Sequence, residues 1–275
     1  MTTVGLLNPG EMGSPVGAAA AGHARVLWAS AGRTAATRAR ATADGLEDAE
    51  TVARLVAASD VIISVCPPAA AGEVAREVAD LGFRGTYVDA NAVAPETARA
   101  IGDVVMAAGA TFVDGGIIGP PPRRPGLARL YLSGRGAASV AALFAGSLLE
   151  AIALDGPIGA ASALKVAYAG WNKGSQALLL AVRAFAMREA VDEALLAEWA
   201  RSAPDLPARA ASAVGTARKA WRFVGEMEEI ADAFRAAGLP DDFHDGAAEV
   251  YRRLAGWKDT PSPPSVDEVA KALAP

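Results

Sequence analysis

Cysteine is almost missing from this chain. Cys66 is the only one in 275 residues, which excludes an intramolecular disulfide and fits a reducing, cytoplasmic setting. Positive charge is not in excess either. Twenty-six Lys and Arg face 31 Asp and Glu, and a formal net charge of −5 gives no general attraction to nucleic acid or to an anionic membrane. No apolar run reaches the ~18–20 residues that span a bilayer without a charge or helix breaker. The opening residues carry no basic region before an apolar one, so no signal peptide is expected. His and Cys never cluster at ligand spacing, and no metal is expected. What is present is globular material, 52% hydrophobic and 21% charged, in a length that suits two domains.

The two halves read differently. Up to about residue 155, short β-branched runs alternate with Ala-rich helical stretches, the pattern of βαβ units in a parallel sheet. The strands are expected at Thr3–Leu7, Val26–Trp28, Val61–Val65, Thr86–Val88, Thr111–Val113 and Leu130–Ser133. Helices are expected between them at Ser14–Ala21, Ala35–Ala43, Ala49–Ala57, Gly72–Leu81 and Pro95–Ala108. From Ala160 to Ala190 proline is missing and helix formers dominate, which predicts one unusually long helix. Further helices are expected at Asp192–Ser202, Pro207–Phe223, Val224–Ala237, Asp242–Leu254 and Ser265–Leu273. The fold class is therefore α/β, a Rossmann-type doubly wound parallel sheet over residues 1–157, followed by an all-α domain over 158–275 that begins with a long interdomain helix.

Between the first strand and first helix runs Asn8-Pro9-Gly10-Glu11-Met12-Gly13, an N-x-G-x-x-G version of the dinucleotide fingerprint. In that setting the turn must be tight, the backbone must come close to a pyrophosphate, and helix amides face the anion. Asn is the residue other than glycine that best tolerates positive φ, so Asn8 can hold the turn. Gly10 would give the close approach and Gly13 the helix–strand packing. After the second strand an NAD enzyme carries an acid that bonds the ribose 2′-hydroxyl. Here the chain reads Ser30-Ala31-Gly32-Arg33-Thr34, and Ser30 with Arg33 suits a 2′-phosphate, so NADP(H) is the expected cofactor. A plain glycine turn and an exposed loop arginine are the alternative readings of the same residues.

These motifs come with others in a fixed order: Ser64-Val65-Cys66-Pro67-Pro68, Asp89-Ala90-Asn91-Ala92-Val93-Ala94-Pro95, Asp114-Gly115-Gly116-Ile117-Ile118-Gly119-Pro120, and Ser162-Ala163-Leu164-Lys165-Val166-Ala167-Tyr168. As a set they resemble the β-hydroxyacid dehydrogenase superfamily, the 6-phosphogluconate dehydrogenase-like NAD(P)-dependent oxidoreductases, in a divergent branch with a short C-terminal helical domain. The resemblance covers most of residues 1–190. It implies an enzyme that transfers hydride between nicotinamide and a C–O carbon, with Lys165 as catalytic proton relay. The cofactor contacts it implies, together with the glycine loop, are Asn8, Pro9, Gly10, Glu11, Met12, Ser30, Arg33, Cys66, Pro67 and Asn91. Substrate contacts are expected from Ile118, Gly119, Tyr168, Asn172 and His244. It also implies a homodimer with interdigitated C-terminal helices.

The residues support part of this independently. Lys165 has apolar neighbours, and Lys165, Asn172 and Gln176 share one helix face, a polar stripe suited to a cleft. Desolvation there lowers a lysine toward the range useful in proton transfer. A snorkelling surface lysine is the other reading, as a structural histidine is for His244, a packing residue for Cys66 and a solvated pair for Arg123 and Arg124. This chain departs from the family at Ala169, where the helix usually carries Asn, and in the substrate loop at Ile118 and Pro120. Isoleucine offers no hydroxyl and proline no N–H, so a small, relatively apolar substrate is expected rather than a simple hydroxy acid. Imine reduction is the alternative activity, and a non-catalytic NADPH-binding sensor the alternative class.

Overall fold

The computed structural model describes residues 1–258 and 260–274. The chain divides into two compact units, Met1–Lys165 and Val166–Pro275.

The first unit is built on one eight-stranded sheet: β1 (Thr2–Leu7), β2 (Ala24–Trp28), β3 (Glu47–Asp48), β4 (Val61–Ser64), β5 (Thr86–Asp89), β6 (Thr111–Ile118), β7 (Ala128–Ser133) and β8 (Leu149–Ala153). Their spatial order is β3-β2-β1-β4-β5-β6-β7-β8. All neighbouring pairs are parallel except β6–β7. The strand order reverses between β1 and β4, which is where an open α/β sheet leaves a crevice at its carboxyl ends. Alternate strand residues feed two cores. Val4, Leu6, Val26, Ile63, Val88 and Val113 pack with α1 (Gly13–Ala20), α2 (Ala35–Ala43) and α6 (Ala137–Ala142). Leu7, Leu27, Ile62, Tyr87 and Phe112 pack with α3 (Val52–Ala58), α4 (Ala71–Asp80) and α5 (Pro95–Ala107).

The second unit is all-helical. Most of α7 (Ala160–Arg188) lies in it, with α8 (Asp192–Ser202), α9 (Leu206–Ala213), α10 (Ala220–Ala236), α11 (Asp242–Leu254) and α12 (Val266–Leu273). Its core gathers Ala177, Leu180, Met227, Ile230, Tyr251 and Leu254. Tyr251 is fully buried, and its hydroxyl donates to the Lys173 carbonyl at 2.8 Å. The nearly buried Arg183 forks onto the Asp192 carboxylate at 3.0 and 2.5 Å, tying α7 to the start of α8. A capping box between Ser265 and Glu268 starts α12.

Several sequence expectations shift here. The helix expected over Pro207–Phe223 breaks into α9 and a 3₁₀ segment, Val214–Lys219, before α10 begins. Gly215 is a weak helix former, and the Thr216 hydroxyl donates to the Ala213 carbonyl at 2.6 Å, competing with the helix ladder. Three short elements, β3, α6 and β8, were not expected. The stretch after Asp114 is not a loop. Strand β6 continues through Ile118, paired residue by residue with β7. The units divide inside α7, between 165 and 166, where residues 157 and 158 were the expected boundary.

Candidate active site

The glycine loop folds as its spacing demands. Asn8 has φ 63, the left-handed region, and its carbonyl accepts from Gly10 N at 2.7 Å. A Cβ at Gly10 would meet nothing nearer than 3.9 Å, so the backbone there is open to a ligand. A Cβ at Gly13 would lie 2.4 Å from the Asn8 carbonyl oxygen. Gly13 therefore lets the start of α1 close on the loop and on Val65 just past the end of β4, and Gly17, whose Cβ would meet Leu6 at 2.8 Å, shares the helix–strand contact expected of it. Arg40 Nη1 reaches the Pro9 carbonyl at 3.4 Å. Glu11 is exposed, while Met12 packs against the core below.

At the end of β2, Ser30 is buried and occupied. Its amide donates to Asp48 Oδ1 at 3.2 Å, and Glu50 N donates to the same oxygen at 2.7 Å. Partial desolvation pushes the carboxyl of the exposed Asp48 up, but hydrogen bonds from the Ser30 hydroxyl and the two amides, with the charge of Arg38, outweigh it and hold it below the usual range. Arg38 donates to the Ser30 carbonyl at 2.7 Å and the Arg33 carbonyl at 3.4 Å, fixing the turn that carries Arg33. Asp48 escaped the sequence reading because it comes twenty residues after Trp28 and reaches it only through β2–β3 pairing. Arg123 is not a free anion receptor either. It pairs with Asp44, whose other contact is the Ser14 hydroxyl at 2.6 Å.

A buried polar row crosses four adjacent strands. Ser64 on β4, Asp89 on β5, Asp114 on β6 and Ser133 on β7 are register partners, and all four are fully buried. Asn91 closes one end. Its Oδ1 accepts from Cys66 N at 2.6 Å, and its Nδ2 donates to Ser64 Oγ at 3.1 Å and Asp89 Oδ2 at 3.0 Å. With both Nδ2 hydrogens engaged, the Asn91 side chain holds the Cys66–Pro67 turn in place. Burial pushes the Cys66 thiol up, against hydrogen bonds from Ser64 and Asn8, so it is a poor nucleophile. Pro67 beside it is exposed.

Asp114, next to the other end, ties the row to α7. Its carboxylate accepts from Ser133 Oγ at 3.0 Å, Ser162 N at 3.0 Å and Ser162 Oγ at 2.6 Å, which anchors the first turn of α7. Gly116 lets that turn seat on β6. A Cβ there would lie 2.7 Å from the Ala161 carbonyl oxygen and 3.3 Å from Lys165 Cβ. Lys165, on the same helix three residues after Ser162, is half-buried and acts electrostatically on Asp89. Ile118, expected in a substrate loop, is a buried strand residue. Gly119 makes the turn after it with φ 113, and a Cβ there would lie 2.1 Å from the Leu127 carbonyl oxygen.

In the second unit Tyr168 and Asn172 lie on α7, and Asn172 Nδ2 donates back to the Tyr168 carbonyl at 2.9 Å. His244 on α11 is buried against Phe234, ring centroids 4.3 Å apart, and faces Gly170. Burial pushes its imidazole down despite Asp245 and Asp241, and Nδ1 has no hydrogen-bond partner. It borders an apolar groove of about 820 Å³ that also takes in Trp171, Leu178, Trp199 and Phe243. The helix α7, apolar nearly all round in sequence, leaves Tyr168, Trp171, Leu178 and Phe185 exposed.

Residues 3–124 match the family model described as the NAD binding domain of 6-phosphogluconate dehydrogenase. The chain is an NAD(P)-dependent oxidoreductase whose N-terminal domain is of the 6-phosphogluconate dehydrogenase kind. The oxidoreductase's residues 186–254 match a domain of unknown function, DUF1932. Comparison with curated proteins gives no sequence match. Among solved structures it is similar to a conserved hypothetical protein from Sinorhizobium meliloti 1021, 28% identical over 100% of this chain and 96% of that one, with a TM-score of 0.79. It shares its fold with Mycobacterium tuberculosis 3-hydroxyisobutyrate dehydrogenase, solved with L-serine: 19% identity, 100% of both chains, TM-score 0.74. A reductive aminase from Aspergillus terreus, solved with NADPH and ethyl levulinate, shares it at 20% identity over 98% of this chain and 99% of that one, TM-score 0.57. Among the described residues of the oxidoreductase no helix is long and apolar enough to cross a membrane.

Proposed function

We propose that this oxidoreductase uses NADPH and acts on the C–O carbon of a small, relatively apolar carbonyl or alcohol, with Lys165 as proton relay. The observation that carries this reading is the anchoring of α7 by Asp114 through Ser162, which fixes Lys165 beside the buried polar row. The left-handed Asn8, the open backbone at Gly10 and the start of α1 suit a pyrophosphate, with Pro9, Glu11 and Met12 completing the loop. Arg33, on the turn that Arg38 braces, suits a 2′-phosphate. Ser30 contributes through its backbone position, since its hydroxyl and amide serve Asp48. Cys66 and Pro67 border the nicotinamide side, held there by Asn91.

When bound, NADPH supplies a hydride to the substrate carbon. As the C=O π pair passes to oxygen, the Lys165 ammonium gives that oxygen a proton and is left neutral, and in the reverse direction the neutral amine accepts it. Candidate substrate contacts are Ile118 and Gly119 in the first unit and Tyr168, Asn172 and His244 in the second. A second copy of the chain is proposed to cover the exposed apolar side chains of α7. Trp171, Leu178 and Phe185 recur every seven residues, a period suited to a helix partner.

Imine reduction is the second reading, favoured by the buried, hydroxyl-free Ile118 and by Pro120. NADPH consumption over a panel of aldehydes, keto acids and cyclic imines tests both. Turnover of the carbonyls supports the first reading. Turnover of imines alone replaces it with the second, and no turnover on any member overturns both.

A further inference from the structure

We propose that Asp89 is the positioning residue for Lys165, its buried carboxylate serving as the counter-ion that holds the lysine ammonium in place and in its charged form. The inference rests on the reading of Lys165 as proton relay, and it gives that relay a second member that has no counterpart in the glycine-loop or helix motifs.

The geometry begins with the register. Asp89 and Asp114 are direct partners on adjacent parallel strands, so their side chains leave the sheet on the same face. Asp114 reaches Ser162 in the first turn of α7, which puts that turn over this face. Gly116, two residues beyond Asp114 and on the same side, brings the backbone of Ala161 and the Cβ of Lys165 down onto β6. Gly115 performs the same service toward β5, since a Cβ there would lie 2.9 Å from the Asp89 carbonyl oxygen.

The two aspartates differ in what they hold. Asp114 takes three donors from Ser133 and Ser162. Asp89 takes two, both from Asn91, its amide to Oδ1 and its side chain to Oδ2, each at 3.0 Å. The other groups that face it are the Tyr87 hydroxyl and Cys66 thiol, which are acids pushed up by burial, and the Asp114 carboxylate. On α5 the nearest cation, Arg99, is directed at Gly159. Lys165 is a cation that acts on Asp89. Burial pushes the Asp89 carboxyl up to about 6, Asn91's hydrogen bonds oppose this, Asp114 adds to it, and Lys165 opposes it. Near neutral pH the carboxylate form is thus kept by Asn91 and Lys165 together, and the lysine gains a counter-charge in return.

The test is Asp89→Asn, read as the pH profile of kcat/KM in the reductive direction beside NADPH affinity. The wild type should lose activity on acidification near pH 6, as Asp89 protonates. In the variant that acid limb should vanish, and the alkaline limb set by Lys165 should move down by about one pH unit or more, with NADPH affinity within about twofold. Unmoved limbs with a uniformly lower kcat would mean that Asp89 only braces Asn91, and would overturn the proposal.

If Asp89→Asn does not fold, the reciprocal measurement uses Lys165→Met. Because the folded carboxyl titrates above its unfolded value, the folded state binds the proton more tightly, and stability from this group rises as pH falls from about 6 toward 4. Removing the lysine should move the start of that rise to higher pH, and an unmoved start refutes the pairing. Full turnover in Lys165→Met together with a moved start would instead refute the relay and leave the pairing standing.

Discussion

The carboxylate of Asp114 accepts both the amide and the hydroxyl of Ser162, at 3.0 and 2.6 Å, so one strand residue fixes the first turn of the helix that carries Lys165. Buried hydrogen bonds to a charged acceptor are worth more than neutral ones, and breaking one side leaves the other unsatisfied.

Loosening that anchor should therefore weaken catalysis more than cofactor binding. Asp114→Asn keeps the shape but turns one acceptor oxygen into a donor facing Ser162. The expected outcome is a fall in kcat of about 10-fold or more, in line with the cost of a misplaced catalytic group. Steady-state kinetics and NADPH titration by fluorescence check this, with the dissociation constant expected to stay within about threefold. Ser162→Ala should act in the same direction by a smaller factor, since the amide donor is retained.

The glycine loop gives the opposite signature. Gly13→Ala sets a methyl 2.4 Å from the Asn8 carbonyl oxygen, and the backbone there has to move. Cofactor affinity should fall by at least about 10-fold, as expected when the turn that aims the amides is displaced. The melting temperature should fall as well, because Gly13 is the buried first residue of α1. Isothermal titration with NADPH and a thermal melt separate the two effects.

Cofactor choice tests the turn after β2. Arg33→Ala should weaken NADPH by about 10-fold or more, the scale of one charge-assisted phosphate contact. NADH, which has no 2′-phosphate, should be affected by less than about twofold. Equal losses for both cofactors would show that Arg33 serves the fold of the turn rather than the phosphate. Tighter binding of NADH than NADPH by the unmodified chain would overturn the NADPH assignment itself.

Much of this architecture is legible in the sequence, and the failures have physical causes. The β1–loop–α1 start, with Asn8 in place of the first glycine, reads directly because Asn tolerates positive φ. Lys165 on a long proline-free helix reads equally well. Strand β3 does not, because Glu47–Asp48 is two exposed acids with no apolar period. Strand β8 is Leu-Glu-Ala-Ile-Ala, a composition that also suits a helix. The polar row was beyond reach for a deeper reason. Ser64, Asp89, Asp114 and Ser133 are 19 to 25 residues apart, and only the strand register lines them up. The same limit hid Asp48 behind Ser30, and it made Asn91 look like a ligand contact when its side chain is engaged in bracing Cys66. Ile118 was placed in a loop because the stretch from Asp114 to Pro120 resembles the family's glycine-rich substrate loop. In the fold Gly115 and Gly116 exist to admit Asp89's backbone on one side and α7 on the other.

The central claim is that Lys165 moves the proton, and single-turnover hydride transfer in Lys165→Met tests it most directly. With the enzyme saturated with NADPH and mixed rapidly with an accepted carbonyl substrate, the rate of NADPH consumption should fall by at least about 10²-fold, while NADPH affinity and the melting temperature stay near those of the unmodified protein. A single-turnover rate that matches the unmodified protein would contradict the claim.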